Sequence, residues 1–219
     1  MSNTALVTTP RSDSTTRYIS TWAEKTIEDL KSKSLQFIVL AKDRATASIL
    51  ESMFKKHDPS LLFLNGHGGP DLVAGHDDTI LIQAGKNETA LKGMITYALS
   101  CSSAQVLGPA AVKAGARAYI GYAEDFIFFI SPEKMGRPLG DKTADMFLTP
   151  ANHVIVSLAK GHTVGEATVA ARNYFLRNVQ KLISSEASED DREYMRYLVW
   201  DMKSLVCHGD KTAVATGFV

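Results

Sequence analysis

The chain has 219 residues, with Lys plus Arg and Asp plus Glu balanced at 24 each and 45% of its residues hydrophobic. Zero formal charge excludes the strongly basic class that binds nucleic acid or an anionic membrane through overall charge, and the size suits one large domain. No run of about 18 apolar residues occurs, so no transmembrane helix is expected. The two cysteines, Cys101 and Cys207, offer neither a disulfide framework nor a metal-finger spacing.

The opening MSNTALVTTPRSDSTTR lacks a basic segment followed by an apolar core, so it does not read as a secretory signal. Its Ser, Thr and Pro content predicts a flexible arm over residues 1–17, leaving 18–219 as a single domain. A cytoplasmic location with reduced thiols is expected.

The first predicted helix runs from Thr21 to Lys33, with a Thr21/Glu24 capping box and an apolar stripe of Trp22, Ile27 and Leu30. Leu35–Ala41 (LQFIVLA) reads as a strand buried on both faces. Asp43 opens a helix through Lys56, and Ser60–Asn65 (SLLFLN) is a second buried strand. A Gly- and Asp-rich loop, GHGGPDLVAGHDD, follows, then a short strand at Thr79–Gln83 and a turn at AGKNE. Met94–Leu99 is a third central strand. Ala104–Ala114 is a helix closed by Gly115 as C-cap, and Ala116–Gly121 is a fourth strand. Phe126–Ile130 fits either a strand or a buried loop. Helical periodicity marks Asp141–Lys160, Thr163–Ile183 and Asp190–Leu205, with SSEASEDD as an acidic break before the last; LVCHGDKTAVATGF can add a terminal strand. Trp22 and Trp200 fall at helical core positions. Strands alternating with helices imply an α/β fold, a mostly parallel central sheet flanked by helices, with functional loops beyond the carboxyl ends of the strands.

Two of those loops carry candidate chemistry. His67 follows SLLFLN by one glycine, and Cys101 follows MITYAL by one serine, so both are expected on the same edge of one sheet. Thiol hydrolysis needs a nucleophile, a histidine to accept and return a proton, and donors for the oxyanion. The N–H groups of Gly68 and Cys101 are the candidate oxyanion donors. A position just before a helix N-terminus would favour the thiolate. Either residue alone fits a structural role, a buried core thiol or a turn histidine; the pair at the ends of two buried strands favours catalysis.

LLFLNGHGG followed by ITYALSCSSAQVLGPAAVKAGARAYIGY resembles the caspase-like cysteine peptidases, nearest to the gingipain, separase and CHAT-domain branches. The late LVCHGD is similar to the ending of gingipain-like and CHAT domains. The resemblance covers roughly Leu35–Gly121 well and implies a caspase-haemoglobinase-like three-layer sandwich with His67 and Cys101 as a catalytic dyad. It departs at Leu99, where legumains and metacaspases carry an acidic pocket residue; in the separase and CHAT branches an acidic residue after the Ile-Gly strand often lines the pocket, and Glu124 and Asp125 stand at about that place.

No G-x-S-x-G elbow accompanies HGGP, no Walker-A pattern occurs, and His67, Asp71, His76, Asp77 and Asp78 match no metal-binding spacing. No cofactor and no metal are therefore expected. His76 with its two aspartates reads as a polar loop. Ser131–Asp141 (SPEKMGRPLGD) is a candidate processing or gating loop, against the alternative of a plain surface loop. The expected activity is a cysteine endopeptidase acting on a protein or peptide substrate, cutting after Arg or Lys through Glu124 or Asp125, with a regulatory or sensor protein as a further partner and neither nucleic acid nor membrane. The competing readings are an inactive interaction module on the same fold, and a Cys-His acyl transferase or amidohydrolase on a small substrate.

Overall fold

The computed structural model describes residues 2–30, 35–183 and 189–215. The predicted end of the first helix at Lys33, most of the acidic break and the last residues lie outside them. A six-stranded sheet forms the centre, built from β1 (Ser2–Thr9), β2 (Gln36–Ala41), β3 (Pro59–Asn65), β7 (Ile95–Leu99), β8 (Ala118–Tyr122) and β9 (Leu205–Gly209), in the order β2-β1-β3-β7-β8-β9. Neighbouring strands are parallel except β9, which runs antiparallel to β8. A small antiparallel sheet of β4 (Gly68–Gly69), β5 (Leu72–Ala74) and β6 (Ile80–Gln83) fills the connection between β3 and β7.

Alternation along the strands divides the core into two layers. Ala5 and Val7, Leu61 and Phe63, Ile95 and Tyr97, and Ala118 and Ile120 face one side, under α1 (Ser14–Leu30), α4 (Lys142–Ala159), α5 (Val164–Ile183) and α7 (Met195–Ser204). Leu6, Leu62, Leu64, Ala98 and Tyr119 face the other, under α2 (Ala47–His57) and α3 (Leu107–Lys113). The result is a three-layer α/β sandwich. A short helix, α6 (Glu189–Arg192), precedes α7.

The expected flexible arm is instead a sheet strand. β1 lies between β2 and β3, with Ala5, Leu6 and Val7 fully buried. Its threonines explain both the misreading and the fold. Thr is β-branched and suits a pleated strand, and its hydroxyl can be satisfied locally. Thr8 does this against the end of β3: its Oγ1 donates to Asn65 O at 3.1 Å and accepts from Asn65 N at 2.9 Å, and Asn65 Nδ2 donates to Thr8 O at 2.8 Å. The strand read as buried on both faces, β2, is an edge strand and only half-buried. The first helix begins at Ser14, capped by Asp13, rather than at Thr21; Thr21 Oγ1 instead donates back to Arg17 O at 2.7 Å. Phe126–Ile130 forms no regular element. Trp200 is 44% exposed rather than core, and its indole N–H donates to Asp125 O at 2.9 Å.

Candidate active site

Four parallel strands deliver their following residues to one edge of the sheet. In spatial order, β1 leads to Asp13, β3 to His67, β7 to Cys101 and β8 to Glu124 and Asp125. Asn65 and Leu99 are register partners on β3 and β7, and Gly66 N–H donates to Leu99 O at 3.4 Å. His67 and Cys101 each lie two residues past that pair, so the two sequence-chosen residues come off adjacent strands at the same level.

Close approach of the two loops requires glycine at 68. A Cβ there would stand 2.5 Å from the Cys101 carbonyl oxygen and 2.8 Å from Ser100 Cβ. No side chain fits that gap without parting the loops. The Cys101 turn is also braced from behind: Ser100 Oγ donates to Ser103 Oγ at 2.9 Å, and Tyr119 O–H donates to the same oxygen at 3.0 Å. Ser102 is held at φ 56°, a costly region for a non-glycine residue, by its N–H to Glu124 O at 3.0 Å and its Oγ to Asp125 Oδ1 at 2.8 Å. The N–H of Cys101 donates to no group among the described residues.

His67 has a partner that the sequence reading missed. Its Nε2 lies 2.7 Å from Asp13 Oδ2, while Asp13 Oδ1 accepts the Thr16 N–H at 2.8 Å and caps α1. Burial by itself would raise the Asp13 carboxyl; the hydrogen bonds from Thr16 and the His67 ring outweigh it and hold the carboxyl below its ordinary value. An ionised Asp13 accepts from Nε2–H, which leaves the Nδ1 lone pair as the basic position of the ring. Asp13 was lost in a segment read as a flexible arm; the signal available was S-D-S-T-T, an N-cap pattern before a helix.

Cys101 is half-buried, with Sγ 3.9 Å from Phe126 O, to which the thiol donates. Burial pushes the thiol above its ordinary value, and the Asp125 and Asp201 carboxyls act in the same direction. The expectation of a thiolate favoured by a helix terminus is therefore corrected. α3 begins only at Leu107, six residues on, so its dipole does not reach the sulfur. Burial thus favours the neutral thiol, and a nucleophilic role for Cys101 would need a proton acceptor.

Asp125 is exposed and is tied to the Cys101 loop through Ser102. Glu124 is exposed and touches that loop through its backbone carbonyl alone among the described contacts. A further carboxyl, Asp201 on α7, is wholly buried. Its Oδ1 accepts the Ile127 N–H at 3.0 Å, its Oδ2 has no hydrogen-bond partner, and burial pushes its pKa well above the ordinary value. It holds the extended segment that runs past Cys101.

No family model matches the chain, and no curated protein matches it. Among solved structures, an inactive zymogen C11 protease from Parabacteroides distasonis aligns over 93% of this chain and 82% of its own, at 12% identity and a TM-score of 0.41.

Proposed function

We propose that this protein is a caspase-like cysteine endopeptidase, with Cys101 as nucleophile and His67 as general base. The observation that carries the reading is the arrangement at the sheet edge: nucleophile and histidine at matching positions beyond neighbouring strands, with the far ring nitrogen held by Asp13. In the reaction, His67 Nδ1 takes the thiol proton as Sγ attacks the peptide carbonyl carbon. The oxyanion is received by the N–H groups of Cys101 and Gly68. The proton then passes to the leaving amine, the C–N bond breaks and a thioester remains. Water, deprotonated by the same nitrogen, cleaves the thioester and restores the thiol. The carboxylate of Asp125, beside the nucleophile and close to no cation in the described structure, supports cleavage after Arg or Lys.

A peptide-library digest with an acyl thiol probe tests the proposal. Cys101→Ala and His67→Ala are expected to abolish cleavage, and Cys101→Ala to abolish labelling, while Cys207→Ala retains both. Cleavage surviving Cys101→Ala overturns the reading. Probe labelling without any peptide cleavage favours an acyl transferase or amidohydrolase, and absence of both favours an inactive interaction module.

A further inference from the structure

The segment that carries Asp13 is a strap, residues 10–13, running from the end of β1 to the cap of α1. Hydrogen bonds and an ion pair fasten it along its length. Ser20 Oγ donates to Pro10 O at 2.6 Å, and the Arg11 guanidinium pairs with Glu24 at 2.5 Å. Asp13 is tied to the first turn of α1, its N–H donating to Thr16 Oγ1 at 3.1 Å and its carbonyl accepting from Arg17 N–H at 3.0 Å, while the further ties of Arg11 and Ser12 come from His76 and its neighbour on the β5–β6 connection. Arg11 N–H donates to His76 Nδ1 at 3.3 Å, Ser12 Oγ lies 3.1 Å from the same nitrogen, and Asp77 N–H donates to Ser12 Oγ at 2.6 Å. Ser12 Oγ thus accepts from Asp77 and uses its own hydrogen on His76, whose Nδ1 lone pair serves two donors.

The turn presenting His76 is strained. Asp77 and Asp78 both have positive φ, 49° and 55°, and a Cβ at Gly75 would stand 2.2 Å from Ala45 O. Two consecutive non-glycine residues in the left-handed region are costly even for aspartate, which tolerates it best, and persist where the surroundings over-determine them. Here the determinants are Gly75 N–H to Thr79 O at 2.8 Å, His76 N–H to Ala45 O at 3.2 Å, and the strap itself. The side chain of His76 is only 21% exposed, with Asp77 Oδ1 3.8 Å from its Nε2.

We infer that His76 is a positioning residue for the catalytic imidazole: it fixes Arg11 and Ser12, and through them the Asp13 carboxylate that sets the tautomer and orientation of His67. The inference rests on the proposed peptidase reading of His67 and Cys101, and it assigns His76 no contact with substrate. His76→Phe keeps the ring and removes the acceptor. His76→Asn places an amide oxygen near the position of Nδ1 and can still accept from Arg11.

The test measures kcat and KM on a peptidyl-arginine amide, together with the ring-nitrogen NMR shifts of His67, for both variants and for Asp13→Ala with and without His76→Phe. His76→Phe is expected to lower kcat roughly three- to tenfold, the effect of one lost hydrogen bond of positioning, with KM unchanged. His76→Asn is expected to recover most of that loss. In the Asp13→Ala background His76→Phe is expected to add nothing, because the group it positions is gone. The His67 shifts should show hydrogen on Nε2 in the wild type and His76→Asn, and a mixed population in His76→Phe. A wild-type kcat in His76→Phe, losses that multiply in the double variant, or an unchanged His67 pattern would overturn the inference. Should the protein prove not to cleave peptides at all, the proposed function fails, while the ring-nitrogen pattern still decides the role of His76.

Discussion

Replacing Asp13 with Asn should damage the site more than replacing it with Ala, and the reason lies in the cap of α1. Asp13 Oδ1 accepts the Thr16 N–H at 2.8 Å, and Oδ2 faces His67 Nε2 at 2.7 Å. In Asp13→Asn the cap retains the amide oxygen, so the NH2 group is turned toward Nε2 and donates to it. That places the ring hydrogen on Nδ1, the position that receives the thiol proton in the proposed mechanism. Asp13→Ala merely frees the ring. A charge-assisted bond contributes about 1.5–3 kcal/mol when sheltered. Both side chains are 42% exposed, so solvent screening reduces the figure to about 1–1.5 kcal/mol, roughly a five- to twelvefold loss in kcat/KM for Asp13→Ala. Asp13→Asn must in addition break the new bond and face two N–H groups at each other, about 2–3 kcal/mol more, for a total loss of roughly 200- to 2,000-fold. Stability should run the opposite way. Asn is a good N-cap, whereas Ala at that position costs about 1 kcal/mol of folding free energy. The assay is kcat/KM on a fluorogenic peptide beside urea unfolding of the same preparations. An Asp13→Asn enzyme as active as Asp13→Ala, or a less stable one, would refute the tautomer argument.

Gly68→Ala should fold but lose at least about a hundredfold in the proposed activity, since its Cβ would meet the Cys101 carbonyl at 2.5 Å and part the loops carrying His67 and Cys101; near-normal turnover would contradict the close approach. Asp125→Ala should slow cleavage after Arg roughly three- to tenfold and leave neutral substrates unaffected, a smaller effect than a sheltered carboxylate would have because Asp125 is exposed; equal losses on both substrates would remove it from the pocket. For Asp201 the pH dependence has a definite sign. Its folded pKa is raised, so the folded state holds a proton that the unfolded chain releases above about pH 3.9. Stability then falls as pH rises from there toward the folded value, by at most about 1.4 kcal/mol per pH unit. Asp201→Asn, which keeps an acceptor for Ile127 N–H, should gain in Tm over the wild type as pH rises above the ordinary carboxyl range of about 3.9; parallel curves would mean that the carboxyl is ionised in the fold. Tryptic nicking after Lys134, the Arg137 bond being protected by Pro138, should leave the two fragments associated on size exclusion. Asp141 clasps both ends of the loop, accepting from Ser131 N at 2.8 Å and Tyr18 O–H at 3.1 Å while capping α4; separation of the fragments would show that the clasp is too weak to hold them.

Local sequence pattern was sufficient for the α/β class, for β3, β7 and β8, and for the placing of His67 and Cys101 at one sheet edge. Those strands are continuous apolar runs ended by Gly or Ser, and a parallel sheet sends every such ending to the same side. Periodicity could not show β1, because its buried threonines resemble a polar arm until Asn65 is present to satisfy them. Nor could it rank strands by depth: LQFIVLA is more apolar than TALVTT, yet β2 is the edge and β1 is interior. The partners of Asp13, His76 and Asp201 were beyond reach for one reason, although S-D-S-T-T offered Asp13 as a helix cap. Each of these residues acts across 54 to 74 residues of chain, on His67, Arg11 and Ile127 respectively, and a hydrogen bond between distant segments leaves no spacing to read. Identity and local order put Cys101 and His67 at the sheet edge; packing of the strap, the hairpin and α7 decided which carboxyl meets the His67 ring and which is wholly buried.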